Sequence, residues 1–471
     1  MTVPLSALRA CFEGAVPATI ATCAADGTPN VAKLSHVHFV DDRHVALSYQ
    51  FFNKTRENLL HRPRATVEVI DPSSAALYHL HLEYLRTETE GPLFEYMKAR
   101  LAAIASHTGM SKVFRLLGAD LFRVLRVEAM PGDALLQSSP PADLLAGLRA
   151  CVVALARCTD LAQLLEVTLA GLAQHWDVHH AMVLMLDPDQ RRLYTVASRG
   201  YPESGVGSEV RVGEGIVGVA AGARTPIRIG YVVQEYRYSH ATRRHFADSA
   251  DGGVLETEIP FPGLADAGSQ LAVPLLDGDR LLGVLYVESP VEERFTYQDE
   301  DAFVVLASHL AICIDGLARA ADQACELPPV SVPASAGPHA LATPPATQST
   351  VASAVGSTGR STGGPIQIRH FHHDHSLFVD NEYLIKGVAG AICWKLLQEH
   401  AATGRADFTN RELRLDASLR LPEITDNLDA RLILLQRRLA ERCPLLAIEK
   451  TGRGRFRLVV TRPLRLIEVP A

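Results

Sequence analysis

At 471 residues the chain is too long for one hydrophobic core, so two to four domains are expected. Hydrophobic residues make up 47% and charged residues 21%, a globular composition, and the net charge of −7 excludes a chain that coats nucleic acid along its whole length. Eight cysteines without CxxC pairs or regular spacing argue against a disulfide framework or a zinc finger and fit a reduced cytoplasm. Residues 1–9 lack the basic start and apolar core of a signal peptide, and no run of about 18 uncharged apolar residues reads as a membrane span, so a cytoplasmic protein with no membrane partner is expected.

In chain order, "AVPATIATCA" (15–24) reads as a strand ending in the turn "ADGTPN". "VAKLSHVHFV" is a second strand and "HVALSYQ" a third. Then "NKTRENLLH" opens a short helix that stops before Pro63. The strands "RATVEVI" and "ALYHLHLEYLRTETEG" follow, then a helix with Pro92 in its first turn, then the strand "GADLFRVLRVEAM". Many short strands with few helices favour a barrel. An amide, an ammonium and a hydroxyl stand together at 53–55, where a strand hands over to a helix; that grouping suits an anion. The same residues also read as an ordinary solvated helix start.

This order resembles the pyridoxamine-phosphate-oxidase-like split barrels over most of residues 12–130, through "DGTPNVAKLSHVHFVDDRHVALSYQFFNKTRENLLHRPRATVEV". The resemblance implies bound FMN. It assigns the phosphate to Lys33, with Ser35 nearby, and to Asn53, Lys54 and Thr55; Ser48 and Tyr49 fall on the strand that lines the flavin. The cluster reads Asn-Lys-Thr where that family has Ser-Arg-Lys or Ser-x-Lys, one cation fewer. Two histidine pairs, His36/His38 and His79/His81, put both rings on one strand face. They suit solvent or a dimer partner, with haem kept as an alternative cofactor.

A weaker break lies at 130–143. Beyond it come two helical patterns, the second capped by Thr159 or Asp160, strands around a turn at 187–189, "VGEGIVG", a hairpin on Asp277-Gly278 and a closing helix. Gly213, Gly215 and Gly218 suit a tight strand-to-helix passage. Over roughly 145–320 this resembles a GAF domain, which implies a small-molecule site whose ligand is not named. The stretch 231–263 would supply the lid, and its "RYSHATRRHF" could hold an anion or be a solvated face.

Residues 326–365 are almost all Pro, Ala, Ser, Thr and Gly and read as a flexible tether. The remainder gives a strand pair, a helix stopped by Gly404, the capping box Thr409-x-x-Glu412, a long amphipathic helix and a hairpin on 452–454. It carries 17 Lys and Arg against 13 Asp and Glu over 366–471. The order resembles the winged-helix effector domains of bacterial response regulators, which implies DNA contact by Arg431, Arg437 and Arg438 on the helix and Arg453, Arg455 and Arg457 on the wing. Asp426 and Asp429 at the start of that helix oppose it, and a protein-contact role stays open. The histidine-rich "RHFHHDHS" adjoins the tether without a second ligand cluster and reads as a solvated terminus.

The expected architecture is a multidomain α+β chain: split barrel 1–135, GAF domain 141–322, tether 326–365 and winged helix 366–471. No catalytic residue and no metal site are assigned. The expected function is a cytoplasmic one-component regulator, a homodimer that couples FMN and a GAF ligand to DNA. The alternatives are an FMN-dependent oxidoreductase with accessory domains and a cofactor-free scaffold.

Overall fold

The computed structural model describes residues 3–12, 17–34, 37–49, 53–72, 74–107, 116–132, 144–187, 191–230, 259–326, 364–380, 382–419, 428–452 and 454–469. They cluster into two units, Met1–Leu317 with Pro422–Leu434, and Ala318–Leu421 with Leu435–Ala471. The tether read at 326–365 lies almost wholly outside the described residues.

After a 3-10 helix at Leu5–Phe12 come β1 (Ala18–Cys23), β2 (Pro29–Leu34), β3 (Val37–Asp41), β4 (His44–Tyr49), α1 (Asn53–His61), β5 (Arg64–Ile70), β6 (Leu77–Glu88), α2 (Pro92–His107) and β7 (Gly118–Ala129). The strands form one antiparallel sheet in the order β2-β1-β5-β6-β7-β4-β3. The run 31–40 is therefore two strands rather than one, and they occupy the two edges of the sheet. Leu34 and Val37 are three Cα steps apart, at most about 11 Å. Seven flat strands would put those edges about 29 Å apart. The sheet must curl until its edges approach, which is a barrel. Its interior is apolar: Ile20, Leu34, Leu47, Val67, Leu80, Leu82 and Phe122, with Leu8 and Phe12 from the 3-10 helix.

The second part of the first unit comprises α3 (Leu144–Leu155), α4 (Leu161–Trp176), β8 (His180–Asp187), β9 (Arg192–Arg199), β10 (Glu209–Arg211), α5 (Gly215–Ala223), β11 (Ile227–Ile229), β12 (Ser269–Asp277), β13 (Arg280–Ser289) and, as far as Leu317, α6 (Tyr297–Glu326). Its sheet runs β10-β9-β8-β13-β12-β11. Asp160 caps α4, accepting from the Gln163 amide at 2.9 Å. Helix α6 is apolar enough over Tyr297–Ala320 to cross a membrane by composition alone, with mean hydropathy 1.7. Its residues Phe303, Leu306, Ala307, Leu310, Ala311 and Ile314 are buried at helical spacing in a protein core.

The barrel and this second sheet share packing. One face of α2 puts Phe94 and Met97 against Ala46 and Ala119 of the barrel. The other puts Ala99 and Ala103 into a core with Val217, Ala220, Ala221 and Ile227. Beside it, Arg9 of the 3-10 helix lies over the rings of Phe39 and Tyr297, and Arg228 of β11 lies over Tyr297 and donates to Glu300 at 2.7 Å.

The second unit holds β14 (Ile366–Phe371), β15 (Ser376–Val379), β16 (Glu382–Ile385), α7 (Gly387–Thr403), β17 (Asp407–Thr409), α8 (Asn410–Leu415), the later part of α9 (Leu428–Arg442), β18 (Leu446–Gly452), β19 (Arg455–Val460) and β20 (Leu464–Val469). One sheet runs β16-β15-β14-β20, with β20 parallel to β14; the other runs β17-β19-β18. The strands β14, β17 and β20 add to the elements read from sequence.

The glycines before α5 behave as their spacing requires. Gly213 and Gly215 have φ of +93° and +62°. A Cβ on Gly218 would stand 2.1 Å from the Arg211 carbonyl oxygen, whereas one on Gly222 would meet nothing closer than 3.4 Å. Gly218→Ala is expected to cost about 2 kcal/mol or more, and Gly222→Ala to be neutral or slightly stabilising. Urea unfolding of the two variants checks the difference.

Candidate functional site

Helix α1 begins Asn53-Lys54-Thr55-Arg56 with no acid in its first turn. The first-turn amides have no partners within the helix, and the macrodipole makes that end positive. A lysine there is unfavourable on its own and favourable beside an anion. Lys54 is 57% exposed, with Nζ 3.7 Å from Glu57. It faces the β1–β2 turn, where Asp26 is held below the usual carboxylate range, first by the Thr28 amide and more weakly by Lys54.

The neighbouring predicted residues divide into two sets. Thr55 is buried, and its hydroxyl accepts from Asn30 at 3.0 Å; Asn30 and buried Asn58 both donate to Thr22. That network ties α1 to the β1–β2 hairpin. Ser48 is buried too, facing an interior cavity of about 10 Å³ shared with Thr55, Arg56 and Asp120. Such a space holds barely one water molecule, so this cavity has no room for a flavin ring. Lys33 is on the outward face of β2 with exposed Val31, and its Nζ donates to Thr19 at 2.9 Å. Asn30 and Lys33 differ by an odd number of residues along β2, so Lys33 and the Thr55 network occupy opposite faces. Ser35 and the side chain of Asn53 lie outside the described residues.

Arg56 is a part of the site that sequence reading left out. Its Nη1 donates to Thr87 and to Asp120 Oδ1, each at 3.1 Å, and its guanidinium lies 4.2 Å from the Tyr49 ring centre. Burial pushes the Asp120 carboxyl up, against the opposing pull of Thr87 and Arg56. The signal available in sequence was weak: an aspartate opening an apolar strand 64 residues away.

The strand histidines find protein partners. His79 Nε2 lies 3.4 Å from Glu68, and His81 Nε2 lies 3.1 Å from Glu128. His36 is outside the described residues. His38 is half-buried, its ring 4.8 Å from that of Tyr96 on α2.

Of the arginines assigned to DNA, two are turned into protein, which corrects their expected exposure. Arg431, in the first unit, is buried; its Nη2 donates to Asp187 at 2.8 Å and its guanidinium lies 4.0 Å from the Tyr194 ring centre. Arg438 is buried in the second unit, donating to the Leu384 carbonyl at 3.1 Å and to Glu441. A helix whose apolar stripe fixes its inward face carries any arginine on that stripe inward as well. Arg437 is half-buried. Arg455 and Arg457 are exposed on one face of β19, and Arg457 donates to both oxygens of Asp407. Arg453 lies outside the described residues.

A second polar cluster sits on the α5 side of the second sheet. Glu288 of β13 is 1% exposed. It accepts from the Leu264 amide at 2.9 Å and the Tyr286 hydroxyl at 3.0 Å, with Gln270 at 3.4 Å. Burial and then the Glu288 charge raise the Tyr201 hydroxyl pKa. Gln270 Oε1 is buried without a hydrogen-bond partner among the described residues. A lone glutamate ending the apolar strand "LLGVLYVES" was the available signal. The lid read at 231–263 lies outside the described residues up to 258.

Comparison with known families agrees with this geometry. Residues 5–129 match the family model described as pyridoxamine 5'-phosphate oxidase, and residues 158–315 match the GAF domain model. The first unit thus contains a split barrel of the pyridoxamine-phosphate-oxidase type followed by a GAF domain. Similar solved structures include an FMN-binding protein from Syntrophomonas wolfei (19% identical, covering 27% of this chain and 86% of that one, TM-score 0.23). Two others are the GAF domain of an Acinetobacter phosphoenolpyruvate-protein phosphotransferase (24% identical, 37% and 93%, TM-score 0.29) and the free methionine-R-sulfoxide reductase of Neisseria meningitidis (19% identical, 39% and 98%, TM-score 0.30). No curated protein matches the chain.

Burial, then Arg100 and Arg9, lower the His38 pKa from 6.5 to about 4. The folded chain thus excludes a proton that the unfolded chain accepts. Stability is intact above pH 6.5 and falls as the pH drops toward 4, by about 2 kcal/mol at pH 5. Urea unfolding at pH 7 and pH 5 should show this loss, and His38→Gln should reduce it by that amount.

Proposed function

We propose that the chain is a signal-responsive regulator: the split barrel binds FMN, the GAF domain receives a small molecule, and the C-terminal unit, a winged helix, binds DNA. The observation that carries the reading is the packing of α2 into both the barrel and the GAF core. Two binding sites that share a packed helix can influence one another, which an enzyme with a merely attached module does not need.

For FMN, the donor set fits. Lys54 and the first-turn amides of α1 would hold the phosphate, and Lys33 supplies a second exposed cation on the outer surface of β2. The 10 Å³ cavity beside Ser48 and Thr55 is too small for the flavin, so this reading puts the ring system outside it. Thr55 and Ser48 act through the interior rather than on the ring system. When bound, the flavin supplies redox chemistry, while the protein residues hold its phosphate and orient it. In the GAF domain, the buried Glu288 carboxylate and Gln270 Oε1 are acceptors, which favours a ligand that offers N–H or O–H donors.

For DNA, support comes from the order of strands, three helices and hairpin, and from a net charge of +4 over 366–471 against −11 for the rest. With Arg431 and Arg438 engaged in protein, the exposed wing residue Arg455 becomes the main described cation for phosphate contact.

Two measurements test the reading on the full chain. The purified protein should show flavin absorption, and Lys54→Ala with Lys33→Ala should weaken FMN binding at least tenfold. DNA binding should fall steeply with salt, and Arg455→Ala should reduce the salt slope by about one. A colourless protein that takes up no added FMN overturns the flavin part. Absent DNA binding at low salt, or steady substrate turnover by reduced flavin, overturns the regulator in favour of an oxidoreductase.

A further inference from the structure

The histidine-rich segment after the tether is brought against a carboxylate from the far end of the chain. The strands β14 and β20 pair in parallel, with His370 opposite Glu468. One donor atom from each of His370, His372 and Glu468 lies within 4.8 Å of the other two. The His372 Nε2 to Glu468 Oε1 separation is 3.5 Å. Donors on a tetrahedral ion at 2.0–2.1 Å stand about 3.4 Å apart, so that pair already has ligand spacing, with a His370 nitrogen within 4.8 Å of both.

The state of His370 points the same way. It is 2% exposed, its ring stacked on Trp394 at 4.7 Å and 17°. Its Nε2 lies 3.2 Å from His375 Nδ1. Its Nδ1 is buried with no hydrogen-bond partner among the described residues. If Nε2–H donates to His375, Nδ1 carries a bare lone pair rather than an unmet N–H, the cheaper arrangement in a buried site. A ligating imidazole is oriented in this way, by a hydrogen bond from its other nitrogen. Glu468 is itself steadied by Gln398 at 3.4 Å.

We propose that His370, His372 and Glu468 bind a divalent ion of the zinc class, with water completing the coordination. Two imidazoles and one carboxylate select Zn²⁺, Co²⁺ or Ni²⁺ over Mg²⁺ and Ca²⁺, which prefer all-oxygen sets. The ion ties β20 to β14 and so fixes the strand that follows the tether to the end of the fold. The site is independent of the flavin and DNA readings.

The test uses the untagged full-length chain, stripped with chelator and titrated with Co²⁺ while its d–d absorption is followed. The expected result is saturation at one equivalent, reversed by Zn²⁺. His372→Ala and Glu468→Gln, both half-exposed positions, should each weaken binding at least tenfold with the circular dichroism unchanged. His373→Ala, a more exposed neighbour, should leave it as it was. A flat titration overturns the site. So does undiminished binding in Glu468→Gln, which is decisive should His372→Ala fail to fold.

Discussion

The first unit depends on a helix with two buried faces. Phe94 and Met97 of α2 belong to the barrel, while Ala99 and Ala103 belong to the GAF core. The asymmetry of size is what makes this possible. The large residues fill the barrel side, and the small alanines join the core that α5 contributes to, where added volume would have to be accommodated. An interface of that kind resembles a domain interior more than a contact between separable modules. The arginines beside it reinforce the seam. Arg228 is almost wholly buried yet has Glu300, the Phe295 carbonyl and the Tyr297 ring around it, so its charge is compensated on several sides. Removing Glu300 would leave a buried cation, which is far more costly than never having had one.

Arginine in this protein is often an interior residue. Arg56 joins α1 to Asp120, Arg431 reaches Asp187, and Arg438 reaches the Leu384 carbonyl. Its planar fork meets several acceptors at once, which lysine cannot do from one position. Counting basic residues therefore overstates the positive surface. The two lysines assigned to phosphate are the converse case. Lys33 on β2 and Lys54 on α1 each keep their ammonium group at the surface, where an anion can reach it.

The legibility of the sequence followed the range of the determining contact. The capping box at Thr409 and Glu412, the αL glycine at 404 and the glycines at 213, 215 and 218 were readable because each is fixed within a few residues. The split of 31–40 into two edge strands was not, because nothing local marks Leu34 as an end; closure of a seven-stranded sheet decides it. The same applies to the face on which Lys33 stands, which follows from its register with Thr19. Period-two patterning gave the strands, but only pairing reveals that Lys33 and Thr55 belong to opposite sides. Glu288 and Asp120 were missed for a related reason. A single acid in an apolar strand has no signature until its burial is known.

The two described histidine pairs show how little spacing alone decides. His79/His81 and His370/His372 are both i,i+2, but only the first pair lies within one strand, where that spacing puts both rings on one side; His372 stands in the turn just past the end of β14. In β6 the neighbouring strands supply Glu68 and Glu128 separately, one carboxylate per ring, and each histidine is satisfied by its own partner. Around β14 the neighbours supply a single carboxylate, an aromatic floor and another imidazole. The first arrangement distributes charge across a half-exposed surface, where ion pairs contribute little. The second concentrates lone pairs on one point while burying one of the rings, which leaves donor capacity that the protein itself does not use. Whether paired histidines form a site is thus set by how many acceptors the adjoining strands bring, and that number is a property of the sheet order.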